Sequence, residues 1–212
     1  MKHSVFFRQI FNSALALSLA CSMVIAAYAG SDQKREASNG TLSVDIDNFG
    51  KVNDHYYRGA QPKDNQYGEL ASLGVKTIVD LRAEAKSSAR SEAERVGLRY
   101  INLPLKDKQY PSADAASRFL EIVNDPANWP VYVHCAGGRH RTGAMTAVYR
   151  MVDDGWNIDR AYDEMKQYDF YTSWGHQCFK DYVYDYYQDL QSHHQTEPSS
   201  IAPSVAGTGP RY

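Results

Sequence analysis

The chain has 212 residues, 43% hydrophobic and 12% aromatic, which is material for one packed domain and too little for two. Lys and Arg number 23 against 25 Asp and Glu, so the global basic excess that a nucleic-acid-coating protein needs is missing. Cys21, Cys135 and Cys178 are too far apart for a disulfide scaffold or a zinc site with C-x-x-C spacing, so any cysteine chemistry rests on one thiol.

Residues 1–29 read as a signal peptide. Lys2 and Arg8 precede an apolar run from Ile10 to Ala27, and Ala27-Tyr28-Ala29 puts small residues at cleavage-site spacing. Cleavage after Ala29 leaves 21 basic against 25 acidic side chains, a mildly acidic chain exported to the periplasm or secreted, with no stable membrane insertion. An uncleaved anchor is the alternative, since the run nearly reaches the roughly 20 residues of a membrane span. Cys21 is a poor lipidation site, because apolar residues continue past it to Ala27. Residues 30–40 and 194–212 are polar and small, or rich in Ser, Pro, Gly and Ala, and read as disordered. That leaves 41–193 as the folded domain.

Within the domain, helix-like and strand-like runs alternate. Asn65 to Leu73 reads as helix, Val75 to Leu81 as strand, Glu84 to Val96 as helix and Arg99 to Leu105 as strand. Ser112 to Val123 follows as a helix with Ser112 at its N-cap, and Pro130 to His134 as a further strand. This is the α/β signature. Beyond it the pattern is wholly helical. Ala144, Val148, Met151 and Val152 share one face, with Gly155 closing that helix, and Ile158, Ala161, Tyr162 and Met165 repeat the spacing. Phe179, Tyr182, Val183, Tyr186 and Leu190 repeat it again, a core-facing stripe rather than a recognition surface. A short α/β sheet with a C-terminal helical cap follows from this order.

The chemistry concentrates between the last strand and its helix, in His134-Cys135-Ala136-Gly137-Gly138-Arg139-His140-Arg141-Thr142-Gly143. Gly137 and Gly138 let the backbone curl so that successive amides point inward, and the next helix directs its partially positive end at the same point. Such a cup binds an oxyanion along Ala136, Gly137, Gly138, Arg139, His140 and Arg141. The Arg141 guanidinium can fork two hydrogen bonds onto phosphate. Cys135 sits at the start of this electropositive cup, which favours the thiolate and makes it the nucleophile. Thr142 carries a hydroxyl that can donate to the sulfur as it departs. His134 reads as a structural residue of the loop, with no proton transfer assigned to it.

His134-Cys135, five residues, then Arg141-Thr142-Gly143 resembles the signature of the cysteine-dependent protein tyrosine phosphatase superfamily, dual-specificity branch. Tyr57-Arg58-Gly59-Ala60-Gln61-Pro62, Thr77-Ile78-Val79-Asp80-Leu81-Arg82 and Ala147-Val148-Tyr149-Arg150-Met151 look like the corresponding stretches of small bacterial members, so the resemblance spans roughly residues 44 to 190. It implies a four- or five-stranded, mostly parallel sheet flanked by helices, no metal or other cofactor, and hydrolysis of phosphate monoesters through a phosphocysteine. The implied partners are phosphorylated proteins or small phosphate esters. It also implies an acid on a loop after the strand preceding the signature. Asp107 fits, 28 residues before Cys135 in the turn-like run Lys106 to Pro111, while Asp114 falls where a helix start attracts an acidic residue anyway. Arg58 and Arg82 end strand-like runs on the side where the loop opens, and substrate contact and internal salt bridges explain them equally well. Cys178 reads as a buried small side chain.

Three rival readings accompany this one. Gly138-Arg139-His140-Arg141-Thr142-Gly143 resembles the Gly-Lys-His-Arg-Thr-Gly ending of inositol pyrophosphate phosphatases, except for Arg139. Sulfurtransferases of the rhodanese type also place a cysteine in an anion-binding loop. A silent phosphate-binding module is the third, opposed by the joint presence of Cys135, Arg141 and Asp107.

Overall fold

The computed structural model describes residues 44–63 and 65–196. The expected signal peptide at 1–29 and the expected linker at 30–40 lie outside them, as does the expected tail beyond 196. Five strands, β1 (Gly50–Asn53), β2 (Tyr56–Gly59), β3 (Thr77–Arg82), β4 (Arg99–Leu105) and β5 (Val131–His134), form one sheet in the order β1-β2-β5-β3-β4. Only the β1–β2 hairpin is antiparallel; β2 with β5, β5 with β3, and β3 with β4 pair in parallel.

Helices cover both faces, and the strands show it by burying alternate side chains on opposite sides. Val79, Leu81, Val131 and Val133 pack with α3 (Ala115–Asn124), α4 (His140–Val152), α5 (Ile158–Gln167) and α6 (Gln177–Thr196). Ile78, Tyr100 and Tyr132 face α1 (Gln66–Ser72) and α2 (Ser87–Arg95). The tyrosine-rich stripe is core, as its spacing indicates, with Phe179, Tyr182 and Val183 buried. Gly155 adopts φ +65° after α4, and Trp156 N–H closes back on the Arg150 carbonyl. Among the described residues no helix is long and apolar enough to cross a membrane.

Several boundaries differ from the sequence expectation for local reasons. Val75 is not the first residue of β3: its N–H bonds to Leu70 O, and Gly74 (φ +92°) bonds to Ala71 O, so both belong to the closing motif of α1. Ser112 does not cap α3. Its hydroxyl is taken by the Asp114 carboxylate, and Asp114 holds the N-cap position. α2 starts at Ser87 rather than Glu84, whose side chain is drawn to Arg141. α6 runs through Thr196, past the domain end placed at 193. β1 and β2 are too short, at four residues each, to show periodicity.

Candidate active site

The four parallel strands end at one edge of the sheet, the edge where open α/β sheets collect ligands. The loops leaving them carry Gln61 after β2, Glu84 after β3, Asp107 after β4 and Cys135 after β5, the central strand. A cleft of about 290 Å³ opens there, lined by Asp107, Lys108, Cys135, Ala136, Gly137, Arg139, His140, Arg141, Tyr171 and His176. Among the described residues, no cluster of His, Cys, Asp and Glu has a metal-holding arrangement.

The loop's geometry can be read from where its carbonyls go. Cys135 O accepts from His134 Nδ1 (3.0 Å), Ala136 O from the Gln61 amide (3.1 Å), Gly137 O from Asn48 Nδ2 (2.9 Å) and Gly138 O from Arg58 Nη2 (2.8 Å). All four peptides are trans, so each N–H points opposite to its carbonyl. The amides of Ala136, Gly137, Gly138 and Arg139 are thereby turned to the side away from these donors. Arg139 O begins the ladder of α4, which has no side-chain cap, so its first amides add to the same positive end. Gly138 is obligatory: it holds φ +67°, and a Cβ there would lie 2.5 Å from the carbonyl carbon of Gly59.

Arg141 is nearly buried and is fixed by Glu84, with Nη1 2.8 Å from Oε2, and by the Leu105 carbonyl at 3.2 Å. That hydrogen bond draws the Glu84 carboxyl below its ordinary range. Asp107 reaches the cleft from the turn after β4, and His176 Nε2 lies 3.6 Å from its Oδ1. His176 Nδ1 lies 2.9 Å from Ser173 O; a carbonyl only accepts, so that nitrogen carries the hydrogen.

Most of the sequence-predicted residues are therefore brought together, and the exceptions are specific. Gly138 backs the loop instead of lining the cleft. Thr142 is fully buried, does not line the cleft, and its hydroxyl bonds neither the Cys135 sulfur nor any other described group. Arg58 and Arg82 do not line the cleft. Arg82 forms a buried ion pair with Asp80 (2.6 Å) and bonds Gln61, while Arg58 stacks on Tyr168. Lys106 lines the neighbouring groove. Cys178 is half-buried rather than buried. Sequence reasoning missed His176, Tyr171, Asn48 and Glu84. The first two stand alone in a connecting segment, Asn48 precedes every recognised run, and Glu84 was absorbed into a helix.

His140 provides a test of the site's charge state. Burial, with His176 stacked on it at 3.6 Å between centroids, brings its pKa down to about 4. The unfolded chain protonates a histidine near ~6.5, so from about pH 6.5 down to about pH 4 the unfolded state binds more protons and stability falls with pH. Fully buried His134 acts in the same direction. The loss expected from His140 is roughly 2 kcal/mol, read as a falling melting temperature over that window, with a shallower slope in His140→Gln.

A thiol at the end of a central parallel strand, facing inward amides and a tethered guanidinium, places the fold and site in the class of cysteine-dependent, dual-specificity-type phosphatases. A family model described as DSP-PTPase phosphatase fused to NAD+ kinase matches residues 21–178, and the chain belongs to that family. Over 101 residues it is 39% identical to the "Probable NAD kinase 2, chloroplastic" of Oryza sativa subsp. japonica, covering 45% of this chain and 10% of that protein. It is 29% identical over 120 residues to the dual specificity protein phosphatase TpbA of Pseudomonas aeruginosa (strain UCBPP-PA14), covering 57% of this chain and 54% of that one. The crystal structure of P. aeruginosa TpbA matches with a TM-score of 0.57 at 28% identity, over 66% of this chain and 84% of that chain. Inositol diphosphatase DSP4 of Arabidopsis thaliana is 26% identical over 159 residues, 69% of this chain and 80% of that protein. The chain thus spans about a tenth of the rice protein and about half of the Pseudomonas one.

Proposed function

We propose that this protein hydrolyses phosphate monoesters through a phosphocysteine on Cys135, with phosphotyrosine and aryl phosphates as its better substrates. The observation that carries this reading is the loop itself, whose four consecutive outward carbonyls leave four amides for an oxyanion beside the thiol. In the first step the Cys135 thiolate attacks phosphorus, the ester P–O bond breaks, and Asp107 gives its proton to the leaving oxygen. The loop amides and Arg141 hold the equatorial oxygens as charge redistributes. In the second step water attacks phosphorus, the S–P bond breaks with the thiolate leaving, and the Asp107 carboxylate takes the water's proton. Thr142 is proposed to assist sulfur departure through its unpartnered hydroxyl.

Local charge favours aryl phosphates over highly charged ones. Beyond Arg141, the charged basic side chains lining the cleft are Lys108 and Arg139; Lys106 lines the neighbouring groove, and burial holds His140 neutral. Arg139 also has Asp169 at 3.8 Å. Tyr171, on the rim, offers an aromatic face to a phenolic leaving group. The Gly138-to-Gly143 ending and the DSP4 likeness support the second reading, an inositol polyphosphate phosphatase. The apolar, small-residue-terminated N-terminus supports export to the periplasm or beyond as the setting.

A substrate panel separates the readings: kcat/KM for a phosphotyrosine peptide, a phosphoserine peptide and inositol hexakisphosphate, measured with a strong chelator present. The phosphotyrosine peptide is expected to lead. A tenfold or greater preference for the inositol substrate that falls in Lys108→Ala would transfer the assignment to the second reading. Loss of all turnover on adding chelator would overturn the metal-free mechanism.

A further inference from the structure

The anion-binding loop is braced from behind by donors of unequal permanence. Cys135 O is held by a fully buried histidine and Ala136 O by a backbone amide. The two glycine carbonyls depend on side chains from outside the cleft, Asn48 ahead of β1 and Arg58 on β2. The peptide joining two glycines is the easiest in the loop to rotate, since no Cβ resists the change. A flip there would present a carbonyl oxygen to the cleft in place of an N–H.

Both donors are placed with some conformational or electrostatic cost. Asn48 holds φ +54°, a left-handed conformation that asparagine tolerates better than most residues. Arg58 is fully buried, and its Nε and Nη1 have no hydrogen-bond partner among the described residues. Its guanidinium lies 3.9 Å from the Tyr168 ring centroid, and no described carboxylate comes within ion-pair distance. A buried cation with no carboxylate in contact, on which Glu164 acts only through space, is expensive, so a purely structural arginine here would be better replaced by an apolar side chain. Its one hydrogen bond inside the fold goes to the loop, at Gly138 O.

We infer that Asn48 and Arg58 are positioning residues of the oxyanion site: by holding the Gly137 and Gly138 carbonyls outward they aim the Gly138 and Arg139 amides at the phosphate. This rests on the phosphatase reading above. Neither residue lines the cleft, so both act through the backbone rather than on substrate. Their effect should appear in anion affinity and in kcat, because amides aimed at the equatorial oxygens gain most in the transition state.

The test uses the full chain and tungstate as the anion, with binding followed by titration calorimetry. Asn48→Gly removes the donor while keeping the positive φ free of strain, and is expected to bind tungstate about tenfold more weakly. Arg58→Met removes a charged donor and is expected to lose more, roughly 10- to 100-fold. In Asn48→Gly, kcat toward the phosphotyrosine peptide should fall more than KM changes, with the melting temperature within a few degrees of wild type. Tungstate affinity within twofold of wild type in folded Asn48→Gly would overturn the inference. Should wild type itself fail to bind tungstate, the phosphatase reading falls, and this inference with it.

Discussion

Cys135→Ser is expected to abolish turnover, by roughly 10⁴- to 10⁶-fold, while leaving phosphate and tungstate binding in place. The two effects separate because they depend on different atoms. The nucleophile is the sulfur alone, and a serine hydroxyl in the same position is a far weaker nucleophile than a thiolate. Anion binding depends on amides whose direction is fixed by His134, Gln61, Asn48 and Arg58, and on the Arg141 guanidinium tethered to Glu84 and Leu105 O. None of those contacts involves the Cys135 side chain. Retained turnover in the variant would remove the phosphocysteine from the mechanism, and loss of anion binding together with turnover would mean that the loop had collapsed.

Asp107→Asn carries the second-largest expected effect. It should slow kcat by roughly 10² to 10⁴ toward substrates with poor leaving groups. Aryl phosphates with acidic phenols need the proton less and should be affected least. Asp114→Asn is the control. That carboxylate is exposed, lies 3.4 Å from Arg118 and accepts from the Ser112 hydroxyl, so its replacement should change little. If the two variants behaved the other way round, the acid would be misassigned and the nucleophile unaffected.

The sequence made the loop legible because the loop's chemistry is local. Cys135, the two glycines and Arg141 occupy consecutive turns of one segment, and the strand before it shows its burial in Val131-Tyr132-Val133. β3 was legible for the same reason, as a run buried throughout, and β4 as a strand whose Tyr100, Leu103 and Leu105 are buried beside more exposed neighbours. The illegible parts depend on distant pairings. Nothing near Asn48 signals that its amide will meet a carbonyl 89 residues away, and Glu84 looks like the start of a helix until Arg141 is seen beside it. Arg58 and Arg82 read identically in sequence, as cations ending short strands. Only the fold separates an arginine paired with Asp80 from one that braces Gly138. Asp107 was found through family resemblance rather than from its own surroundings, and its neighbour His176, 69 residues on, gave no signal at all.

The central claim is that phosphate passes through a covalent bond to one sulfur. Rapid quenching of a single turnover of an aryl phosphate by wild type, with mass-spectrometric mapping of the trapped enzyme, tests it most directly. A phosphorylated species that forms and decays within the turnover, with the phosphate on the peptide containing Cys135, is the expected result. Product release with no phosphoenzyme at any quench time, in a protein still inactivated by Cys135→Ser, or phosphate on any other residue, would contradict it.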